Sequence, residues 1–458
     1  MPPKLSLLVF VSSATLLAHE GAHTAGNEMP ALDAGVTIEH SAEYRTISGD
    51  ALPDHHHGRF PNPANPNIIT PQDDSHRVPM NPKISDRWRE VELAAFGIAI
   101  NGILLEPNAA EWWQDDRNSG WRYEALGHHV DLGVDHNHAH VQPSGKYHYH
   151  GMPSGLLENR GSSESFSLIG YAADGFPVYS HWSYADARDA SSALQPLSSS
   201  YRVKSGKRPD GPGGSFDGTY VQDYEYVEGL GDLDRANGRS GVTPEYPDGT
   251  YYYVITPDFP FIPRYWRGEP SRDFVRRGGG GGGGRAQGPP AGGAGRGGRN
   301  APSHPALQAL GDTDIIKQLG LTHEESTTLR TALREFQNSQ PTNRRRNEDI
   351  SSDERRAQRQ SRLAETNAAV EKFRKDSLTT AQNLRLQQII NRAAGTESLL
   401  TDDSRAALQL TDDQFSTLYA LIVQARSPDA LSFEWSDVVH YLSADQLDLL
   451  RDRIGSID

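Results

Sequence analysis

Polar and apolar residues alternate most regularly between Asp135 and His150. His136, His138 and His140 fall on one parity and Ala139 and Val141 on the other. After Gln142-Pro143-Ser144-Gly145-Lys146, the residues Tyr147 and Tyr149 alternate with His148 and His150. Successive residues of a strand point to opposite faces, and the Pro/Ser/Gly segment is turn chemistry. The pattern predicts a β-hairpin with an imidazole ladder on each arm and both tyrosines packing on the other face. Register decides whether the ladders meet. A loop of residues 142–146 pairs Val141 with Tyr147, so that His140 faces His148 and His138 faces His150, with Cβ atoms about 5 Å apart. A loop of residues 144–145 or 143–146 pairs His140 with Tyr149 and removes the square of histidines. The odd-length loop is expected, because it gives the histidines a common purpose.

Elsewhere the apolar pattern divides the chain. Residues 26–82 read as irregular, with Asp54-His55-His56-His57-Gly58 and the Pro/Asn run at 61–67 as loops. From 83 to 275 short apolar runs are punctuated by Gly, Asp and Pro, as in residues 167–172, 174–179 and 250–255. The two runs around Asn101-Gly102 predict a tight hairpin. A β-rich, mostly antiparallel domain with long loops is expected there. Residues 276–305 are Gly/Arg/Pro-rich and read as a disordered linker that a protease should cut, leaving two folded fragments. Residues 306–458 read as an all-α domain. Helix starts are marked by Ser or Thr with Glu or Gln three residues on, at Thr322, Ser351, Thr379, Thr411 and Ser443. Leu319-Gly320-Leu321-Thr322 echoes Leu408-Gln409-Leu410-Thr411, which suggests two similar helical units. The whole is multidomain.

Composition narrows the function. The net charge of −15 and pI near 5.6 argue against a nucleic-acid partner. There is no cysteine, so disulfides and thiolate ligands are excluded. Lys4, the apolar run from Leu5 to Ala18 and the small residues after it make residues 1–25 a signal peptide. A secreted or periplasmic protein follows, with no membrane span once the peptide is removed.

The chemistry sits in the hairpin. Imidazole suits zinc and copper, so the expected ligands are His136, His138, His140, His148 and His150. Asp135 adds a carboxylate ligand or a partner for a ring N–H, and His128 or its neighbour His129 an extra imidazole. A closed four-ligand site means binding, storage or structure. Three ligands leave room for a metal-activated water and a hydrolase-type enzyme, with Asp135, Asp174 or Tyr149 as base or donor. A third possibility is a non-catalytic surface or assembly protein that meets a protein partner through its helical domain. His55 to His57 form a second, weaker His tract, more simply an exposed loop, and His181 reads as a partly buried residue without a role. Asp232-Leu233-Asp234 with Asn237-Gly238 hints at calcium but lacks the alternation and later Glu of an EF-hand. No catalytic triad or phosphate-binding loop is present.

Residues 90–268 resemble the YHYH-domain family of mostly exported bacterial proteins. The resemblance rests on Tyr147-His148-Tyr149-His150, Asn101-Gly102, the run from Gly170 to Tyr179, Leu233-Asp234-Arg235-Ala236-Asn237-Gly238-Arg239, and Tyr251-Tyr252-Tyr253 leading to Phe259-Pro260-Phe261. It implies export and the domain boundaries but no reaction. Many relatives carry cysteines near these motifs, so any thiol role does not transfer. Leu410-Thr411-Asp412-Asp413-Gln414 is similar to the LTxxQ motif of helical periplasmic proteins, some of them chaperones or metal-stress sensors.

Overall fold

The computed structural model describes residues 28–275 (except 93, 128, 162 and 163), 305–339, 352–427 and 433–455. The expected signal peptide, His128 and the Gly-rich segment lie outside the described residues. Eleven strands suffice to place the site. They are β1 (Val36–His40), β2 (Tyr44–Gly49), β3 (Asp74–Pro79), β4 (Gly97–Ala99), β5 (Leu104–Leu105), β6 (Ala139–Val141), β7 (Tyr147–Tyr149), β8 (Leu168–Ala172), β9 (Pro177–Tyr179), β10 (Gly238–Gly241) and β11 (Thr250–Val254).

The segment expected to be irregular contains an antiparallel sheet, β1-β2-β3. Its strands bury few apolar residues, and β1 is exposed throughout. The remaining eight strands form one sheet in the order β10-β11-β9-β8-β4-β5-β7-β6. It is mostly antiparallel, as expected, with two parallel pairs, β5·β7 and β9·β11.

That order is a repeat. From the middle outwards, β4-β5-β7-β6 and β8-β9-β11-β10 each run antiparallel, parallel, antiparallel. The central ladder pairs Gly97 with Ala172, Ile98 with Tyr171 and Ala99 with Gly170. It is therefore two-fold symmetric if Gly97-Ile98-Ala99 corresponds to Gly170-Tyr171-Ala172. A Cβ on Gly97 would stand 2.3 Å from the Tyr171 carbonyl oxygen, and one on Gly170 2.2 Å from that of Ile98. The same close backbone approach thus excludes a side chain on both sides of the axis. Each half then turns at Asn101-Gly102 or Asp174-Gly175, where the glycines take φ of 79° and 92°. Asp135 Oδ1 accepts from the Asn137 and Ala139 amides, and Asp234 Oδ1 from those of Ala236 and Gly238. His138 and Asn237, both at φ 53°, close these two turns. Tyr147 and Tyr251 donate to the two aspartates, while the hydroxyls of Tyr149 and Tyr253 meet Asn101 and Asp174.

The helical part shows the expected caps. Thr379/Gln382, Thr411/Gln414 and Ser443/Gln446 close reciprocal capping boxes, and Thr322 and Glu325 make the same bonds. Ser351 lies outside the described residues. The side chains of Gln414 and Gln446 also bond each other, which clasps two helix starts together.

Two apolar clusters divide these helices. One runs through residues 306–390. Leu399, Leu400, Phe415, Leu418, Tyr419 and Ile422 instead join the core of the sheet domain. Arg59, whose guanidinium faces the Phe415 ring, bonds both carboxylate oxygens of Asp402. Arg426 Nε donates to Thr70 Oγ1 at 2.7 Å, and the rings of His57 and Tyr419 are 5.7 Å apart. A protein nicked between residues 276 and 304 should therefore co-elute as two associated fragments at neutral pH on size exclusion; separate peaks would show that this interface is not stable. His57 is fully buried, and burial holds its pKa down at about 4 against the pull of Asp135. Its neutral form supports the docked state fully above about pH 6.5, and that support is lost as pH falls toward 4. The nicked fragments should separate in that window, and His57→Gln should blunt the pH dependence.

Candidate metal centre

The hairpin adopts the odd-loop register. Val141 pairs with Tyr147, His140 with His148 and Ala139 with Tyr149. The loop closes through Gln142 N–H to the Lys146 carbonyl at 2.9 Å, with Gly145 at φ 86°. Tyr147 and Tyr149 turn inward and are fully buried. His140, His148 and His150 turn to the opposite face and converge, with ring centroids 4.7, 4.7 and 4.8 Å apart. One ligand nitrogen from each lies within 4.8 Å of the other two. His148 and His150 are each 2 % exposed and His140 is half-buried.

The hydrogen bonds orient the rings. His140 Nδ1 donates to the Leu132 carbonyl at 3.0 Å and His148 Nδ1 to that of Lys146 at 3.3 Å. Each Nε2 is thereby left as a lone pair directed inward. His140 Nε2 and His150 Nε2 stand 3.1 Å apart. At this spacing either a proton on His150 Nε2 or a metal ion lies between the two nitrogens. Burial and the neighbouring His148 hold the pKa of His140 down at about 4. Burial, with the nearby Lys146 ammonium, holds His148 at about 4, and burial with the other two rings pushes His150 well below its usual value. At neutral pH the rings are uncharged, which is the form that ligates.

The other expected ligands are elsewhere. His138 leaves the strand at its positive φ, and its Nδ1 donates to the Met152 carbonyl at 2.9 Å. The square of four thus becomes a triad. The physical reason is Asp135, whose carbonyl accepts from His138 N–H and whose Oδ1 accepts from the Asn137 and Ala139 amides, closing a tight turn before β6. Asp135 Oδ2 accepts from the Gly58 amide and the Tyr147 hydroxyl, so this carboxylate is a structural hub on the far side of the hairpin. His136 sits in the same turn, 3.9 Å from Glu28. His129 is exposed.

The His tract at 55–57 is not an exposed loop. His55 Nδ1 donates to the His56 carbonyl, so its Nε2 accepts from the Tyr149 hydroxyl at 2.6 Å. His57 packs beside Tyr147, and only His56 is exposed. Asp174 is fully buried among the Tyr253 hydroxyl and the Gly268 and Phe176 amides; burial raises its pKa to about 6. It is a turn residue of the second half. Asp232 accepts from Ser198, and Asp234 from amides and Tyr251. These carboxylates serve turns and Ser198, and among the described residues the only group of three or more candidate metal-ligand side chains is the histidine triad.

The repeat supplies an internal control. Both halves keep the Asp, the positive-φ residue and the two inward tyrosines. On the outward face the second half carries Arg239, Tyr252 and Val254 where the first carries His140, His148 and His150. Arg239 Nε donates there to the Tyr252 hydroxyl at 2.6 Å. The fold is made without outward imidazoles, so the triad is not a requirement of the fold.

These features define a class: a two-half β-sheet domain bearing a buried three-imidazole centre. Residues 75–268 match the family model described as YHYH protein, which makes this part of the chain a YHYH domain. No curated protein and no solved structure matches the chain.

Proposed function

We propose that this is an exported metal-binding protein whose hairpin holds one divalent transition ion, zinc or copper, through His140, His148 and His150. The observation that carries this reading is the convergence of three neutral imidazoles, two of them with Nε2 atoms 3.1 Å apart. That spacing is close to the ligand–ligand edge of about 3.3 Å around a tetrahedral ion with bonds of about 2.0–2.1 Å. Backbone acceptors on Nδ1 fix the rings of His140 and His148 as they do around metals. Export is supported by residues 1–25. No described helix is long and apolar enough to cross a membrane.

Binding, storage or a structural role is favoured over metal-activated hydrolysis, because His148 and His150 are almost wholly covered and substrate has little access. The helical part presents a surface for a protein partner in residues 305–393, since the later helices are engaged by the sheet domain. Elemental analysis of purified protein, with zinc or copper titration after chelator treatment, tests the reading. One ion per chain is expected. No binding at micromolar ion would remove the reading and leave a surface or assembly protein.

A further inference from the structure

We infer that Glu106 is the fourth ligand of this centre and closes it, an inference that rests on the metal-binding reading above. Strand β5 runs parallel to β7 and pairs Leu104 with His148 and Leu105 with Tyr149. The Glu106 amide continues the ladder to the Tyr149 carbonyl at 2.8 Å. Alternation puts Glu106 on the histidine face, and its Oε2 stands 3.9 Å from His148 Nε2. The edge of a tetrahedral site is about 3.3 Å, so the carboxylate stands within about 1 Å of bonding distance across such an edge from His148, and a shift toward the other two rings brings it into the set.

The carboxylate is already held in place. Both of its oxygens accept from Gln142 Nε2, at 3.0 Å each. Gln142 stands two residues beyond His140 and so on the same face. Its amide thus holds the carboxylate on the histidine face. A dication among three neutral rings also gains from one negative ligand where water is largely excluded.

The second half of the sheet makes the same point. Leu105 corresponds to Val178, since they pair with Tyr149 and Tyr253 respectively, so Glu106 corresponds to Tyr179. Tyr179 donates to Glu245, shares a hydrogen bond with the Thr243 hydroxyl, and packs on Tyr252, with ring centroids 5.5 Å apart. At these four positions one half has Arg, Tyr, Val and Tyr, and the other has three imidazoles and a carboxylate. The first half differs from its twin at each position by a metal ligand. Four protein ligands leave no site for a reactive water, which assigns the centre to binding or structure.

The test uses the full-length protein loaded with Co²⁺ as a spectroscopic stand-in for zinc. An intense tetrahedral visible spectrum is expected, unchanged by added azide because no position is open. Glu106→Gln should weaken Co²⁺ binding by about 10-fold or more in chelator competition and should let azide shift the spectrum. Azide shifting the spectrum of the unaltered protein, or Glu106→Gln binding with unchanged affinity and spectrum, overturns the closed site while leaving the triad. Failure of the unaltered protein to bind Co²⁺ or Zn²⁺ overturns the metal reading and this inference together. Should Glu106→Gln not fold, the azide titration of the unaltered protein decides alone.

Discussion

Replacing His148 with alanine is expected to weaken zinc or copper binding by about 100-fold or more, since even the loss of an outer hydrogen-bond partner costs about 10–100-fold. His148 is almost wholly covered, its ring meets both His140 and His150, and Glu106 lies beside it. His138→Ala and His136→Ala should leave affinity essentially unchanged, because one ring is spent on the Met152 carbonyl and the other sits by Glu28. Isothermal titration of the three variants reads the contrast directly. A loss for His138→Ala equal to that for His148→Ala would mean that the ligands are the strand-parity set rather than the triad.

The second large effect is on stability. Asp135→Ala is expected to destabilise the metal-free protein by on the order of 3–5 kcal/mol. Its carboxylate satisfies the Gly58, Asn137 and Ala139 amides and the Tyr147 hydroxyl, and alanine leaves all four without that acceptor. Tyr147→Phe removes one of these bonds and should cost only about 1 kcal/mol. Asp234→Ala, the counterpart in the second half, should also be costly, since it accepts from two amides and Tyr251. Urea melts of the three variants measure this. If Asp135→Ala melted like the unaltered protein while losing metal, the carboxylate would be a ligand and not a hub.

The contrast between His140 and His138 shows what kind of information was missing. Both lie on the same strand parity, two residues apart. His140 ended where parity and loop length placed it, because the Gln142–Lys146 turn is a local structure. His138 did not, because the turn that redirects it is held by Asp135, which is itself fixed by Gly58 from a segment 77 residues earlier. The Asx-turn spacing of Asp135 and Asn137 was visible, but its dominance over strand alternation was not. Glu106 was missed for a related reason: nothing near it in sequence signals a ligand, and only the parallel pairing of β5 with β7 brings it to the histidine face.

The repeat was hidden in the same way. The echo legible in the sequence was the pair of helix starts at 319 and 408, where capping demands a fixed residue pattern. The sheet repeat keeps only Gly, the Asn/Asp-Gly turn, an Asp and two tyrosines, spread over long and unequal insertions. Periodicity and turn chemistry are local, so the sequence by itself determined the hairpin and its register, the inward tyrosines, the capped helices, and the presence of several imidazoles on one face. Which imidazoles meet, that Glu106 lies beside them, and that the last helices return to pack against the segment of His57 and Arg59 were decided only by tertiary structure. Those outcomes depend on contacts between segments far apart in the chain, whose burial no local pattern encodes.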